Sequence, residues 1–479
     1  MAAKDFIVAI ELGSSKVTGI AGRKNLDGSI NVLAVVKEES SSFIRKGVVY
    51  NIDKTALCIS GIIKKLTNQL KTDITQVYVG VGGQSIRSVR NVIARDLSDA
   101  TKVTQDMVIS LMDANSAMRY PDQEILDVAQ QEYKVDSQYQ TDPVGIQCTR
   151  LEGNFLNILQ RNTFYKNLNK CFETINLNVA EMYISPIALA DCVLTEAEKR
   201  SGCALVDIGA DTTTVCVYSK NILRHLAVIP LGGNNVTKDI ASLQMEESDA
   251  EKMKLKYGSA FTDNSEIDND LKLSIDNERK VESRRFIEIV ESRMEEIIAN
   301  VWYQIPSEYS DKLLGGIIIT GGGANMKNIE KAFYNHTHVE KIRIAKFVSH
   351  TITSNNADIN AKNGMMNTIL GLLIKGDRNC AGEAVDPSNL FSQKPDDHIT
   401  SSLGRTDMPK KQGVVPTEAE KRQQEEEQRK KREEEERLEK ERLAEEERRK
   451  AIERKENSPL NKGWKWFKRI AQDFAKEEE

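Results

Sequence analysis

Two short stretches of the chain carry one chemical layout. Residues 6–10 (FIVAI) run into Glu11-Leu12-Gly13-Ser14-Ser15-Lys16 and resume as 17–21 (VTGIA). About 195 positions later, residues 203–208 (CALVDI) run into Gly209-Ala210-Asp211-Thr212-Thr213 and then VCVYS. In each, an apolar run brings a carboxylate, Glu11 or Asp207, to a small polar turn. Such turns present backbone N–H groups that suit phosphate oxygens. A carboxylate beside them suits Mg²⁺ held through water, because Mg²⁺ keeps several of its waters. A third stretch, GGIIITGGG at 315–323, reads as a buried strand ending in Gly321-Gly322-Gly323. Three glycines let the backbone approach a flat or anionic ligand closely. Gly232-Gly233 follows a further strand over 224–231. One glycine turn after a strand is ordinarily only a turn; together these loops point to a bound nucleotide.

The elements that must position these loops follow from periodicity. Each strand–turn–strand unit reads as a hairpin, and its recurrence reads as a duplication that gives two related α/β domains facing each other. Between the units, 104–118 and 122–132 have helical spacing, and 77–81, 155–159 and 180–184 read as strands. Helix-rich stretches cover 237–257 and 281–304, a helix starts near Met326, and GMMNTILGLLIK (364–375) reads as a buried closing helix.

Composition excludes several classes. Net charge is −5 over 479 residues, and no basic patch interleaves with aromatics, so no nucleic-acid partner is expected. Seven cysteines without a CxxC pair argue against a disulfide framework or zinc site and for a reducing compartment. His336 and His338 lack a third ligand and read as solvated. No run approaches the ~20 apolar residues of a spanning helix, and the N-terminal apolar stretch is too short for a signal peptide.

Beyond Gly376 the composition changes. Residues 376–416 read as a disordered linker. Residues 417–456 hold 14 basic and 16 acidic residues, with i,i+4 pairs such as Glu427–Lys431 and Glu446–Lys450. This is either a solvated single helix, ~60 Å long if fully formed, or a disordered chain. The segment 461–476 differs from both. Trp464, Phe467, Ile470 and Phe474 recur at spacings of three and four, flanked by Trp466, with Lys465, Lys468 and Arg469 towards the other face. Aromatic residues with flanking lysines suit an anionic headgroup boundary; the alternative is a helix that docks on protein.

The loops, with GVVYNID (47–53), VYVGVGG (77–83), QEYKVD (131–136), DPVG (142–145), SDAEKMKLKYGSA (248–260), GIIITGGGANMKNIE (316–330) and the amphipathic tail, resemble the actin/Hsp70/sugar-kinase superfamily and, within it, the FtsA family of bacterial cell-division proteins. The resemblance covers about residues 4–375 and resumes at 461–476. It implies an actin-like ATPase fold that binds ATP with Mg²⁺. Glu11 and Asp207 would lie near the metal, through water, and near the γ-phosphate as the catalytic acids. Gly13, Ser14, Ser15 and Lys16 would form one phosphate loop, and Gly209, Asp211, Thr212 and Thr213 the other, with Gly232 and Gly233 beside it. Gly321, Gly322, Gly323 and Met326 would back the adenine. Glu251 and Lys254 would reach the nucleoside; the bland alternative is a surface salt bridge.

The resemblance also implies a layout. Residues 1–85 would form subdomain 1A and 86–165 an inserted subdomain 1C. Residues 166–239 with 316–375 would form 2A, and 240–315 would form 2B. The expected role is assembly: a peripheral protein that polymerises on the cytoplasmic face of the membrane at the division site. It would bind the C-terminal tail of FtsZ through 2B and recruit other divisome proteins, and would be at most a slow ATPase. GADTT in the second loop departs from the superfamily's frequent GGGTT and is expected to slow hydrolysis more than binding. The rival expectations are a sugar or acetate kinase of the same superfamily, an Hsp70-like chaperone and a pilus-assembly homologue.

Overall fold

Both hairpins form, and each founds a lobe. The computed structural model describes residues 5–268, 270–275 and 279–381. In the first lobe, Ile7–Leu12 pairs antiparallel with Lys16–Lys24, which pairs with Ile30–Glu39; on its other side Ile7–Leu12 pairs parallel with Gln76–Val81. In the second lobe, Cys203–Ile208, Thr213–Ser219 and Ile222–Ile229 repeat the antiparallel meander, and Gly316–Thr320 takes the parallel place beside Cys203–Ile208. A fifth strand extends each sheet in parallel, Asn178–Ile184 in the first and Ile342–Ile344 in the second. The same strand order in both lobes is the duplication read from the loops.

These sheets are buried on both faces, which is why their strands read as apolar runs. Gln76–Val81 and Gly316–Thr320 are buried at every residue. The helix Ile52–Leu70 covers the first sheet with Ala56, Ile59, Ile62 and Leu66, spaced to share one face. The Asn51 side chain caps it by accepting from the Lys54 N–H, a contact worth ~1 kcal/mol. In the second lobe the helix Ser283–Gln304 does the same with Phe286, Val290, Met294, Ile297 and Val301.

Three expectations are corrected. The stretch 122–132 is strand, within Gln123–Val135, although its spacing reads as helical. It pairs along Gln147–Arg161, whose other edge carries Arg87–Lys102. A long partner strand supplies its backbone bonds, and Tyr133 and Val135 turn alternately into a small core with Val108, Leu111 and Phe155. Second, parts of 166–239 and 316–375 belong with the first lobe. Asn178–Ile184 and Ile352–Thr353 are strands of the first sheet, and Asn367–Lys375 packs on Ile7–Leu12, Lys16–Lys24 and Gln76–Val81. A parallel strand needs a long crossover to reach its place; the helix Asn162–Thr174 supplies it. Third, Asp377–Ala381, expected to open the linker, is ordered. Cys380 is fully buried, its N–H donates to the Phe6 carbonyl at 2.8 Å, and its carbonyl accepts from the Thr75 N–H at 3.0 Å. The rest of the linker, the charged segment 417–456 and the amphipathic segment 461–476 lie outside the described residues.

The inserted sheet enters and leaves from the first lobe, but its strand Arg87–Lys102 meets the edge of the second sheet at Ala227. Ser88 Oγ accepts from the Leu226 N–H at 2.8 Å, and Glu132 pairs with Arg224 at 3.0 Å.

Candidate functional site

The first hairpin turns at Gly13, whose N–H donates to the Lys16 carbonyl at 3.0 Å. Ser14 is buried, and its hydroxyl accepts from the Gly47 N–H at 2.8 Å. Ser40 Oγ holds the Gly13 carbonyl at 2.7 Å. The second hairpin turns in the same way, with the Gly209 N–H donating to the Thr212 carbonyl at 2.8 Å. The third loop leaves the strand Gly316–Thr320 at Gly321, where φ is +86°. A side chain there would meet Asp207: an added Cβ would lie 2.3 Å from its Oδ1 and 2.6 Å from the Ile208 carbonyl oxygen. Glycine is required because the third loop rests directly on the second strand's acid.

These loops wall a cleft of about 1010 Å³. Glu11, Gly13, Ser14, Ser15, Lys16, Asp207, Gly209, Thr212, Gly233, Glu251, Lys254, Gly321, Gly322, Gly323 and Met326 all line it. Three expected residues do not. Thr213 is buried, and its hydroxyl donates to the Leu231 carbonyl at 2.9 Å, because it opens the strand Thr213–Ser219 facing the core. Asp211 turns away, its two oxygens held by the Lys46 N–H and the Asn234 side chain. Gly232 packs behind the second loop, where a Cβ would lie 2.6 Å from the Ala210 carbonyl oxygen.

Residues not singled out as ligands also line the cleft, among them Gly82, Gly83, Ser185, Asn234, Lys327 and Asn363. Gly82-Gly83 carries the signal that marked Gly321–Gly323, glycines directly after a fully buried strand. Asn363-Gly364 is a turn dipeptide before the closing helix. Ser185 and Lys327 carry no local signal, since a chain crossover and a loop bring them there.

Glu251 and Lys254 do pair, at 2.6 Å, but not as a surface bridge. Lys254 is buried and donates to the Gly233 carbonyl at 3.0 Å and to Thr237 Oγ1 at 2.9 Å. It therefore fixes the start of the helix Gly233–Ala241, while Glu251 is the more exposed partner.

Charge in the cleft is unbalanced. Burial, followed by the proximity of Asp207, pushes the Glu11 carboxyl up to about 7. Burial pushes Asp207 up to about 6. Lys16 is lowered by burial and then by Lys37; its ammonium has no hydrogen-bond partner among the described residues. Two desolvated carboxylates facing one cleft fit a divalent cation, whose charge offsets their mutual repulsion. An ammonium in the field of Glu11 but without a hydrogen-bond partner among the described residues, next to a turn of backbone N–H groups, fits an anion. The described residues hold no group of three metal-ligating side chains, in the cleft or outside it. His336 lies in the last turn of the helix Ile329–Thr337 and His338 ends it. All seven cysteines are free. No helix among the described residues is long and apolar enough to cross a membrane.

Comparison with known proteins agrees with this architecture. A family model described as cell division protein FtsA matches residues 204–367, and one described as the SHS2 domain inserted in FtsA matches residues 83–159. The chain is 33% identical to the cell division protein FtsA of Porphyromonas gingivalis over 326 residues, 67% of this chain and 68% of that one. It is 31% identical to that of Neisseria meningitidis serogroup B, covering 68% of this chain and 80% of the relative. Among solved structures, a PilM-PilN type IV pilus biogenesis complex superposes with a TM-score of 0.53 at 14% identity, over 77% of this chain and 97% of that one. That likeness concerns the fold.

Proposed function

Since the chain belongs to the FtsA family of cell-division proteins, we propose that it is an ATP-binding assembly protein that polymerises on the cytoplasmic membrane and anchors FtsZ filaments there, recruiting later divisome components. The observation that carries the ATP reading is the cleft: two like turns, each beside a half-buried acid, with a third glycine loop packed on one of them. Lys16 and the N–H groups of both turns would take the phosphates. Glu11 and Asp207 would hold Mg²⁺ through water, and the ion would supply the charge that offsets triphosphate and carboxylates together. Gly321–Gly323 and Met326 would back the base, with Glu251 towards the nucleoside. Family membership disfavours the kinase alternative.

The membrane role rests on the sequence of 461–476. Its aromatic face and four basic residues against one acid in 463–476 suit an anionic bilayer. One such helix binds weakly; a polymer carrying many of them binds firmly through avidity. The test is co-sedimentation with anionic liposomes, with ATP and an FtsZ tail peptide, using the full chain and a version lacking 461–479. The full chain is expected in the pellet and the truncated one in the supernatant. Equal pelleting by the truncated chain would sink the tether, and failure of the tail peptide to co-pellet would sink the FtsZ contact.

A further inference from the structure

Asp211 belongs to the second loop, yet its carboxylate leaves the cleft and reaches the other lobe. Oδ1 accepts from Asn234 Nδ2 at 2.7 Å, and Oδ2 accepts from the Lys46 N–H at 3.0 Å. Both donors are braced, Lys46 in a tight turn and Asn234 in the first turn of the helix Gly233–Ala241. On the first lobe, Lys46 lies between the short strands Ile44–Arg45 and Val48–Val49, with a φ of +48°. Its carbonyl accepts from the Gln84 N–H at 2.8 Å, and the next N–H, that of Gly47, is held by Ser14. A Cβ on Gly47 would lie 2.5 Å from the Gly83 Cα, so this turn is pressed against the Gly82–Gly83 loop. On the second lobe, the Asn234 N–H donates to the Ala210 carbonyl at 2.7 Å, the Gly233 N–H donates to the Gly209 carbonyl at 2.9 Å, and Lys254 donates to the Gly233 carbonyl.

Gly47, Gly233 and Asn234 all line the cleft, so the Asp211 bridge runs along its rim. Opening the lobes at this rim must break it. We propose that Asp211 is a latch between the lobes that slows exchange of a nucleoside triphosphate held in the cleft; this rests on the nucleotide reading above. A carboxylate with two N–H donors makes charge-assisted bonds, stronger than neutral ones. Because both donors are already fixed, little conformational freedom is lost when the latch closes.

Two measurements on the full chain test it. Amide exchange followed by mass spectrometry, without nucleotide, reads the latch directly. Asp211→Ala is expected to speed exchange of the 44–49 segment roughly fivefold or more, with an intermediate rate for Asp211→Asn, which keeps the volume and one acceptor oxygen. Stopped-flow release of a fluorescent ATP analogue is expected to be about 3- to 10-fold faster from Asp211→Ala than from the wild type. Unchanged exchange at 44–49 in both variants overturns the latch, as does unchanged release from a wild type that binds the analogue. A wild type that does not bind the analogue overturns the nucleotide reading instead, and the exchange measurement still decides whether Asp211 joins the lobes.

Discussion

The loop Gly13–Lys16 and the loop Gly209–Thr212 close with the same hydrogen bond, from the glycine N–H to the carbonyl three residues on. Beyond that bond they diverge. The first keeps Ser15 and Lys16 on the cleft wall, Lys16 in the field of Glu11. The second keeps Thr212 on the wall but gives its neighbours to the scaffold: Thr213 to the carbonyl of Leu231, Asp211 to the opposite lobe. Duplicated backbone therefore carries divided labour. Only the second loop sends a side chain across to the other lobe.

The largest effect should come from crowding the two turns. A Cβ on Gly13 would lie 2.8 Å from the Lys16 carbonyl oxygen, whereas one on Gly209 would lie 3.0 Å from that of Thr212. Overpacking against backbone costs about 1–3 kcal/mol. Gly13→Ala should weaken binding of an ATP analogue by roughly tenfold or more, and Gly209→Ala by no more than about threefold. Equal losses, measured by titration, would remove the distinction between the loops.

Next comes the side-chain contrast. Lys16→Ala should weaken analogue binding by roughly tenfold with stability nearly unchanged, since a charged hydrogen bond contributes about 1.5–3 kcal/mol. Thr213→Val should do the reverse, lowering unfolding stability by about 1 kcal/mol and leaving affinity nearly intact. Urea unfolding beside the same titration separates the two.

The remaining contrast concerns the acids. The folded carboxyl of Glu11 is raised from its ordinary 4.5 to about 7, and that of Asp207 from 3.8 to about 6, burial being the first cause of both. A raised carboxyl favours the folded state while protonated. Its stabilisation is present below the ordinary value and is lost as pH rises through the folded one. Without ligand, Glu11 and Asp207 should together lower stability steadily as pH rises from 5 to 7.5. His225, lowered by burial and then by Arg90, opposes this trend because its contribution is lost as pH falls. The reading is therefore the difference between wild type and Glu11→Gln in melting temperature against pH. A parallel pair of curves would mean that Glu11 is not desolvated.

The loops were legible in the sequence because a buried strand, an acid and small residues form a local pattern that survives without its surroundings. The family resemblance placed Thr213 and Asp211 on the ligand as well. Which way each points depends on Leu231, Lys46 and Asn234, and Lys46 lies 165 positions from Asp211. The stretch Gln123–Val135 failed for a related reason: its pairing partner Gln147–Arg161 decides its state, and helical spacing cannot register that. Likewise Asn178–Ile184 and Asn367–Lys375 read correctly as strand and helix, but the lobe they join is set by where the chain crosses over.

The short clasp formed by Asp377–Ala381 has a mechanical meaning. Its backbone bonds reach Phe6 and Thr75, the Gln76 side chain donates to the Asn379 carbonyl at 2.7 Å, and Tyr78 OH bonds Asp377 at 2.8 Å. All four partners belong to the first lobe. A pull arriving through the chain beyond Ala381 is thus received by the first lobe and reaches the second only through the contacts that join the two, the Asp211 bridge and the Glu132–Arg224 pair among them.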